Sequence, residues 1–240
     1  MKKYTYVWVS LVILVFGIIF VPRIVERISS GTIVENDRMN VEKAKSTLSY
    51  ITLNGEKKRV PSFDFINQDS LAISNSDYKG KVFVVEFFFT SCPSICPIMT
   101  ENLVDIQNQF KNNDQFGIAS FSITPDYDTP AVLKAYAEKN DITDLDWHLL
   151  TGDKEQVFDL ANNGFNIFAS EMPDAPGGFE HSGLFALVDK EGYLRSRTDQ
   201  FGNPIIYYRG AITEKQGEND HGEKEQISIL KEDIKRLLAE

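Results

Sequence analysis

Lys81-Val-Phe-Val-Val-Glu-Phe-Phe-Phe-Thr-Ser-Cys-Pro-Ser-Ile-Cys-Pro-Ile-Met-Thr100 decides how this chain is read. The almost unbroken apolar run from Val82 to Phe89 predicts a strand buried on both faces, ending at Thr90-Ser91. Cys92 and Cys96, the only two cysteines of the sequence, follow at once, and helix-type residues resume at Met99. A central strand that hands two thiols to the start of a helix puts reactive sulfur at the carboxyl edge of a sheet, where α/β folds build sites. Residues four apart on a helical turn share one face, with Cβ atoms about 5–6 Å apart. That spacing suits a shared metal ion, and a disulfide as well if the turn tightens.

Downstream of this stretch, strands and helices alternate. Met99, Leu103, Ile106 and Phe110 recur with a helical period over Ile98 to Phe110, and Gly117 to Ile123 predicts a second strand. In Thr124-Pro-Asp-Tyr-Asp-Thr-Pro130, Asp128 or Thr129 can cap a helix that has Pro130 at its first position and runs to Lys139. Trp147 to Thr151 is a short third strand, and Lys154 to Asn162 is a helix. Ser170 to Gly178, with Pro173, Pro176, Gly177 and Gly178, reads as irregular, and His181 closes it. Leu184 to Val188 then forms a hairpin with Tyr193 to Arg195 through the turn Asp189-Lys-Glu-Gly192. Ile227, Leu230, Ile234, Leu237 and Leu238 mark a closing amphipathic helix.

Upstream, Ser76 to Lys81 is a turn and Val60 to Phe65 an alternating first strand. Tyr4 to Pro22 holds no charged residue and is long enough to cross a bilayer as a helix. Lys2 and Lys3 favour a cytoplasmic N-terminus, a bias that Arg23 and Arg27 weaken, and no A-x-A-like cleavage site follows. The expectation is a single-pass membrane anchor at residues 1–23 and a stalk leading into the domain at 24–57. A thioredoxin-like α/β domain, a central mixed sheet flanked by helices, is expected at 58–212, and an acidic linker with a C-terminal helix at 213–240. The domain would lie on the extracytoplasmic, periplasmic side of the cell membrane, with its cysteines in an oxidising compartment. A formal charge of −10 and the lack of any basic stripe exclude nucleic acid as a partner.

Cys92, near a helix N-terminus, is placed to be a thiolate. A metal site and a redox dithiol of Cys92 and Cys96 both require that; a structural disulfide closes too short a loop to stabilise much. Of the three histidines, His221 sits in the acidic tail and reads as solvated, and His148 sits within a strand and reads as packed or facing solvent. His181, before the fourth strand, falls beside the cysteine turn in a thioredoxin-like sheet. Thioredoxin-type reductases place a cis-proline there, whereas Glu180-His181-Ser182-Gly183 has none. Two thiolates and one imidazole, Cys92, Cys96 and His181, suit copper, as Cu(I) or Cu(II), better than harder ions.

These residues resemble the Sco (SenC) family of copper proteins. The likeness rests on Thr90-Ser91-Cys92-Pro93-Ser94-Ile95-Cys96-Pro97 after a buried strand and on Asp128-Thr129-Pro130 after the next. It rests also on Leu150-Thr151-Gly152, on His181 before the hairpin strand and on the Asp189 to Gly192 turn, and it spans roughly residues 58–212. The resemblance implies a copper chaperone that holds the ion on Cys92, Cys96 and His181. It implies delivery of copper, or of reducing equivalents, to the dinuclear copper centre of cytochrome c oxidase subunit II or another cuproprotein, with a thioredoxin-like reductant keeping the cysteines reduced. Ser91 and Glu180 depart from the family, which often has His and Asp there. A thiol-disulfide oxidoreductase that reduces target cysteines is the competing reading. Peroxide reduction by Cys92 is weaker, since no arginine can be placed beside it.

Overall fold

The computed structural model describes residues 11, 14–16, 20–21, 48–174, 177–199 and 202–240. The chain divides into Met1–Lys45 and Ser46–Glu240. In the first unit the described residues are helical, and the rings of Phe16 and Phe20 stack. The rest of the expected anchor, and the stalk up to residue 47, lie outside the described residues. Among the described residues no helix is long and apolar enough to cross a membrane.

In the second unit, β6 (Val82–Phe88) and β7 (Phe116–Ser122) are buried at every position, as the centre of a sheet covered on both faces requires. They pair in parallel, and β7 pairs in parallel with β8 (Trp147–Thr151). Parallel neighbours need crossovers, which α1 (Cys96–Phe110) and α2 (Pro130–Lys139) supply. α1 lays Met99, Leu103, Ile106 and Phe110 on the sheet. α2 starts where the sequence indicates, with the Thr129 side chain accepting from the Val132 N–H and Pro130 at the first position.

The remaining strands run antiparallel and make the sheet mixed. β1 (Ser49–Tyr50), β12 (Leu194–Ser196) and β11 (Leu184–Val188) flank β6 on one side; β4 (Asp64–Asn67) and β5 (Ala72–Ser74) lie beyond β8 on the other. β13 (Tyr208–Arg209) pairs with β11. β2 (Thr52–Leu53) and β3 (Glu56–Lys57) form a separate hairpin. α3 (Lys154–Asp159) continues as a π-helical turn, Leu160–Phe165, and α4 (Ile227–Ala239) buries Ile227, Leu230, Ile234 and Leu237 in the common core. The thioredoxin-like α/β expectation holds.

Four local readings change. α1 begins at Cys96, three residues before Met99, because Pro97 is compatible with a first turn. The first alternating strand begins only at Asp64; Pro61 to Phe63 lead into it, and Pro61 packs against Gly164, where a Cβ would meet its ring at 3.0 Å. The ordered domain also starts before residue 58. Leu48 and Ile51 are buried, β1 pairs with β12, and Arg195 reaches back to the Leu48 carbonyl oxygen at 2.8 Å. Finally, the Pro/Gly-rich stretch is not irregular throughout: β9 (Ala169–Glu171) and β10 (Phe179–His181) pair as a ribbon. Its special residues gather at the tip, where Gly177 and Gly178 take φ of +86° and +81°, so the flanks are free to pair.

Candidate metal centre

The cysteine turn is fixed from below by Asp128. This fully buried carboxylate accepts hydrogen bonds from the Thr90 N–H (3.1 Å) and hydroxyl, the Ser122 hydroxyl (2.5 Å) and the Thr124 hydroxyl (2.9 Å). The ends of β6 and β7 are thereby tied together one residue before Ser91. Asp128 is therefore not the cap of α2, a role that falls to Thr129. The Cys92 N–H then donates to the Phe89 carbonyl oxygen at 3.2 Å, which turns the chain, and Cys96 opens α1.

His181 arrives from the other direction. It ends β10, paired with Ala169, and the ribbon rests on the cysteine turn. A Cβ at Gly177 would sit 2.8 Å from the Phe89 ring and 3.4 Å from Pro93, and one at Gly183 would lie 3.3 Å from Ile95. The Phe89 ring stands edge-on to His181 at 5.9 Å.

One sulfur or nitrogen atom from each of Cys92, Cys96 and His181 falls within 4.8 Å of the others, and all three residues are buried. Both cysteines are free thiols. His181 Nε2 lies 3.1 Å from Cys96 Sγ, and Nδ1 lies 3.3 Å from the Ser182 carbonyl oxygen. A carbonyl can only accept, so Nδ1 is the ring nitrogen placed to donate to Ser182, and Nε2 is the one that faces the sulfurs.

The thiols differ in protonation. A hydrogen bond from Cys96 is the main cause that brings Cys92 down to about 3, against the cost of burial, with His181 and the N–H groups of Cys96 and Ser94 helping. Cys96 is pushed far up, first because it donates to Cys92 and then because it is buried. At neutral pH the pair is one thiolate and one thiol.

The remaining histidines stay apart from this cluster. His148 Nδ1 lies 3.2 Å from Asn67 Nδ2, and burial lowers its pKa; His221 is exposed. Sequence reasoning passed over Asp128 as an anchor, and it passed over Glu86. The only signal for Glu86 was a single charge inside an apolar run. Ser91 and Glu180 are exposed.

A thioredoxin-like α/β domain with a buried cluster of two thiols and one imidazole, the histidine carried on a ribbon over the cysteine turn, defines a class of thiol- and metal-handling proteins. The chain belongs to the SCO1/SenC family, whose model matches residues 52–212. It is 33% identical over 135 residues to the SCO1 protein homolog of Bacillus subtilis, covering 55% of this chain and 69% of that one. It is 30% identical over 135 residues to a SCO2-like protein of Rickettsia prowazekii, covering 54% of this chain and 64% of that one. Among solved structures, BsSco, described as a member of the Sco family of cytochrome c oxidase assembly proteins with a disulfide switch, superposes with a TM-score of 0.59 at 27% identity, over 76% of this chain and 94% of that one. ScoI of Bradyrhizobium japonicum, solved with copper bound, shares the fold with a TM-score of 0.52 at 23% identity, over 59% of this chain and 90% of that one.

Proposed function

We propose that this chain binds one copper ion through Cys92, Cys96 and His181 and passes it to the dinuclear copper site of cytochrome c oxidase subunit II. The observation that carries this reading is the donor set: two sulfurs and one imidazole nitrogen within 4.8 Å in a buried site. Soft sulfur with imidazole suits copper, and membership of the SCO1/SenC family agrees with it. Copper here is cargo. Cys92 offers a thiolate at once, His181 Nε2 offers its lone pair, and Cys96 becomes a ligand when it gives up its proton. Release is ligand exchange, in which the recipient's ligands replace these three one at a time. A thioredoxin-like reductant keeps both sulfurs reduced, and the expected anchor at residues 1–23 holds the domain on the extracytoplasmic side of the membrane.

One observation favours a second reading, a thiol-disulfide oxidoreductase: the split between a Cys92 thiolate and a Cys96 thiol. The Cys92 thiolate would attack a target disulfide and expel one target thiolate. Cys96, losing its proton, would then attack the Cys92 sulfur, releasing the second target thiolate and leaving a disulfide in this chain.

Anaerobic titration of the reduced chain with Cu(I) and Cu(II) separates the two. The expected result is one copper per chain, with Cys92→Ser, Cys96→Ser and His181→Ala each weakening it. His181→Ala should keep its reactivity toward a model disulfide. A chain that holds no copper yet reduces the model disulfide would overturn the chaperone reading in favour of the reductase.

A further inference from the structure

His181 meets the sulfurs only where the ribbon that carries it is held, and the hydrogen bonds of the ribbon show how. The Met172 N–H donates to the Gly178 carbonyl oxygen and the Ser182 N–H to that of Phe168, both at 2.9 Å. Hydrogen-bonded and non-hydrogen-bonded pairs alternate along an antiparallel ladder, so Ala169 and His181, which face each other, form a non-hydrogen-bonded pair. Pairs of that kind have the closer Cα atoms, about 4.5 Å apart, so a displacement of Ala169 is handed directly to His181. Ala169, which is buried, also turns its N–H and C=O away from β10, where both need partners.

Asn162 supplies them. Its Oδ1 accepts from the Ala169 N–H at 3.1 Å and its Nδ2 donates to the Ala169 carbonyl oxygen at 2.9 Å, so one carboxamide stands in for a neighbouring strand. Nδ2 donates as well to the carbonyl oxygen of Phe158, four residues back on α3, at 3.1 Å. Only an amide brings two donor hydrogens and an acceptor on so short a stem; a carboxylate has no donor, and an aliphatic side chain has neither.

The support behind Asn162 is firm. It belongs to the π-helical turn Leu160–Phe165, whose Leu160, Ala161 and Phe165 lie in the core, and the Phe165 ring meets that of Phe87 on β6 at 5.8 Å. Past the turn, Asn166 takes a φ of +55° and the Ile167 N–H donates to the Ala161 carbonyl oxygen at 2.9 Å, which reverses the chain and returns Ala169 alongside Asn162. β6 is the strand that delivers Cys92 and Cys96. The amide therefore ties the strand facing the histidine to the same scaffold that holds the sulfurs. The Lys154–Glu171 ion pair also joins α3 to β9, but both side chains are exposed, and such pairs hold little.

We propose that Asn162 is a positioning residue of the metal centre, which sets through Ala169 where His181 Nε2 stands relative to the two sulfurs. Its effect on copper rests on the metal-binding reading; its hold on the ribbon does not.

Two variants test this. Asn162→Ala removes all three bonds, whereas Asn162→Asp keeps the size and the acceptor but sets a charged oxygen against two carbonyls. Hydrogen exchange of the reduced, metal-free full chain is measured first. In both variants the Met172 and Ser182 amides should exchange at least about tenfold faster than in the native chain, while those of β6 and β7 stay protected. Copper affinity is then read by competition with a chelator in the native chain, Asn162→Ala, His181→Ala and the double variant. Asn162→Ala should weaken copper by about tenfold, and it should change nothing further once His181 is gone, because it acts through the imidazole alone. Unchanged ribbon exchange would overturn the proposal, and so would exchange that quickens equally in β6 and β7 in both variants. An equal loss of affinity with and without His181 would overturn it too, since that marks a general loosening of the fold. A native chain that takes no copper, with ribbon amides that both variants release, would sink the copper assignment and leave the hold of Asn162 on His181 standing.

Discussion

Cys92 and Cys96 share a side chain and differ in what surrounds it. One receives a hydrogen bond at the rim of the turn, the other gives it from inside a helix, and the single proton between them follows from that. Glu86 is the third titrating group of this neighbourhood, and its cost can be measured. It ionises near 7 in the folded chain against 4.5 as a free side chain, so its protonated form favours the fold. The stability it contributes is complete below the lower value and is lost as the pH rises through the higher one, a decline of about 3 kcal/mol. Glu86→Gln should remove that decline and leave the chain more stable than the native one at about pH 8, read as a higher urea midpoint. At this scale the sequence was legible where chemistry is rare: two cysteines beside prolines announce themselves, and His181 follows from the order of elements. Glu86 stayed hidden because what sets it apart is a buried, unpartnered oxygen, which no spacing reveals.

The elements around the site divide the labour. β6 and β7, bound at their ends through Asp128, hold the cysteine turn, whereas the ribbon of β9 and β10 brings the histidine. The ribbon is steered by its tip, where Gly177 has a positive φ and its bare Cα lies against the Phe89 ring. Gly177→Val adds a Cβ 2.8 Å from that ring in a backbone conformation that β-branched residues avoid. The expected outcome is a ribbon lifted from the turn: copper affinity down by about 10–100-fold, measured by competition with a chelator, and little change in the urea midpoint. A midpoint that falls while affinity holds would show the ribbon to be part of the fold's support instead. The periodic elements, β6, β7, β8, α1 and α2, could be read from the sequence because burial repeats in them. The ribbon could not, because the two prolines and two glycines between its strands, Pro173, Pro176, Gly177 and Gly178, give the whole stretch a helix- and strand-breaking composition.

At the scale of the whole domain, Arg195 joins segments that the sequence reading kept apart. Its guanidinium, 4% exposed, pairs with Asp189 at 2.9 Å, with Glu240 on the last residue at 3.0 Å, and with the Leu48 carbonyl oxygen before β1. A chain cut to begin at residue 46 should keep the melting temperature of the full domain. One cut to begin at residue 58 strands those guanidinium donors and removes an edge strand, and should melt about 5–10 °C lower in a calorimeter. The boundary at 58 was misplaced because the residues before it are polar and short-paired, and edge strands of two residues leave almost no periodic trace.

The site also spans the chain in time. Cys96 and His181 are 85 positions apart, and their meeting waits on the pairing of β6 with β11, which is made after the chain has passed residue 188. During synthesis both sulfurs emerge long before the imidazole exists, so an ion captured early would be held by a short two-sulfur loop that any nascent chain could offer. Three-point recognition belongs only to the finished domain. The order of events is therefore fixed as folding first and loading second, the reverse of the small metal domains in which the ion itself draws the chain into shape.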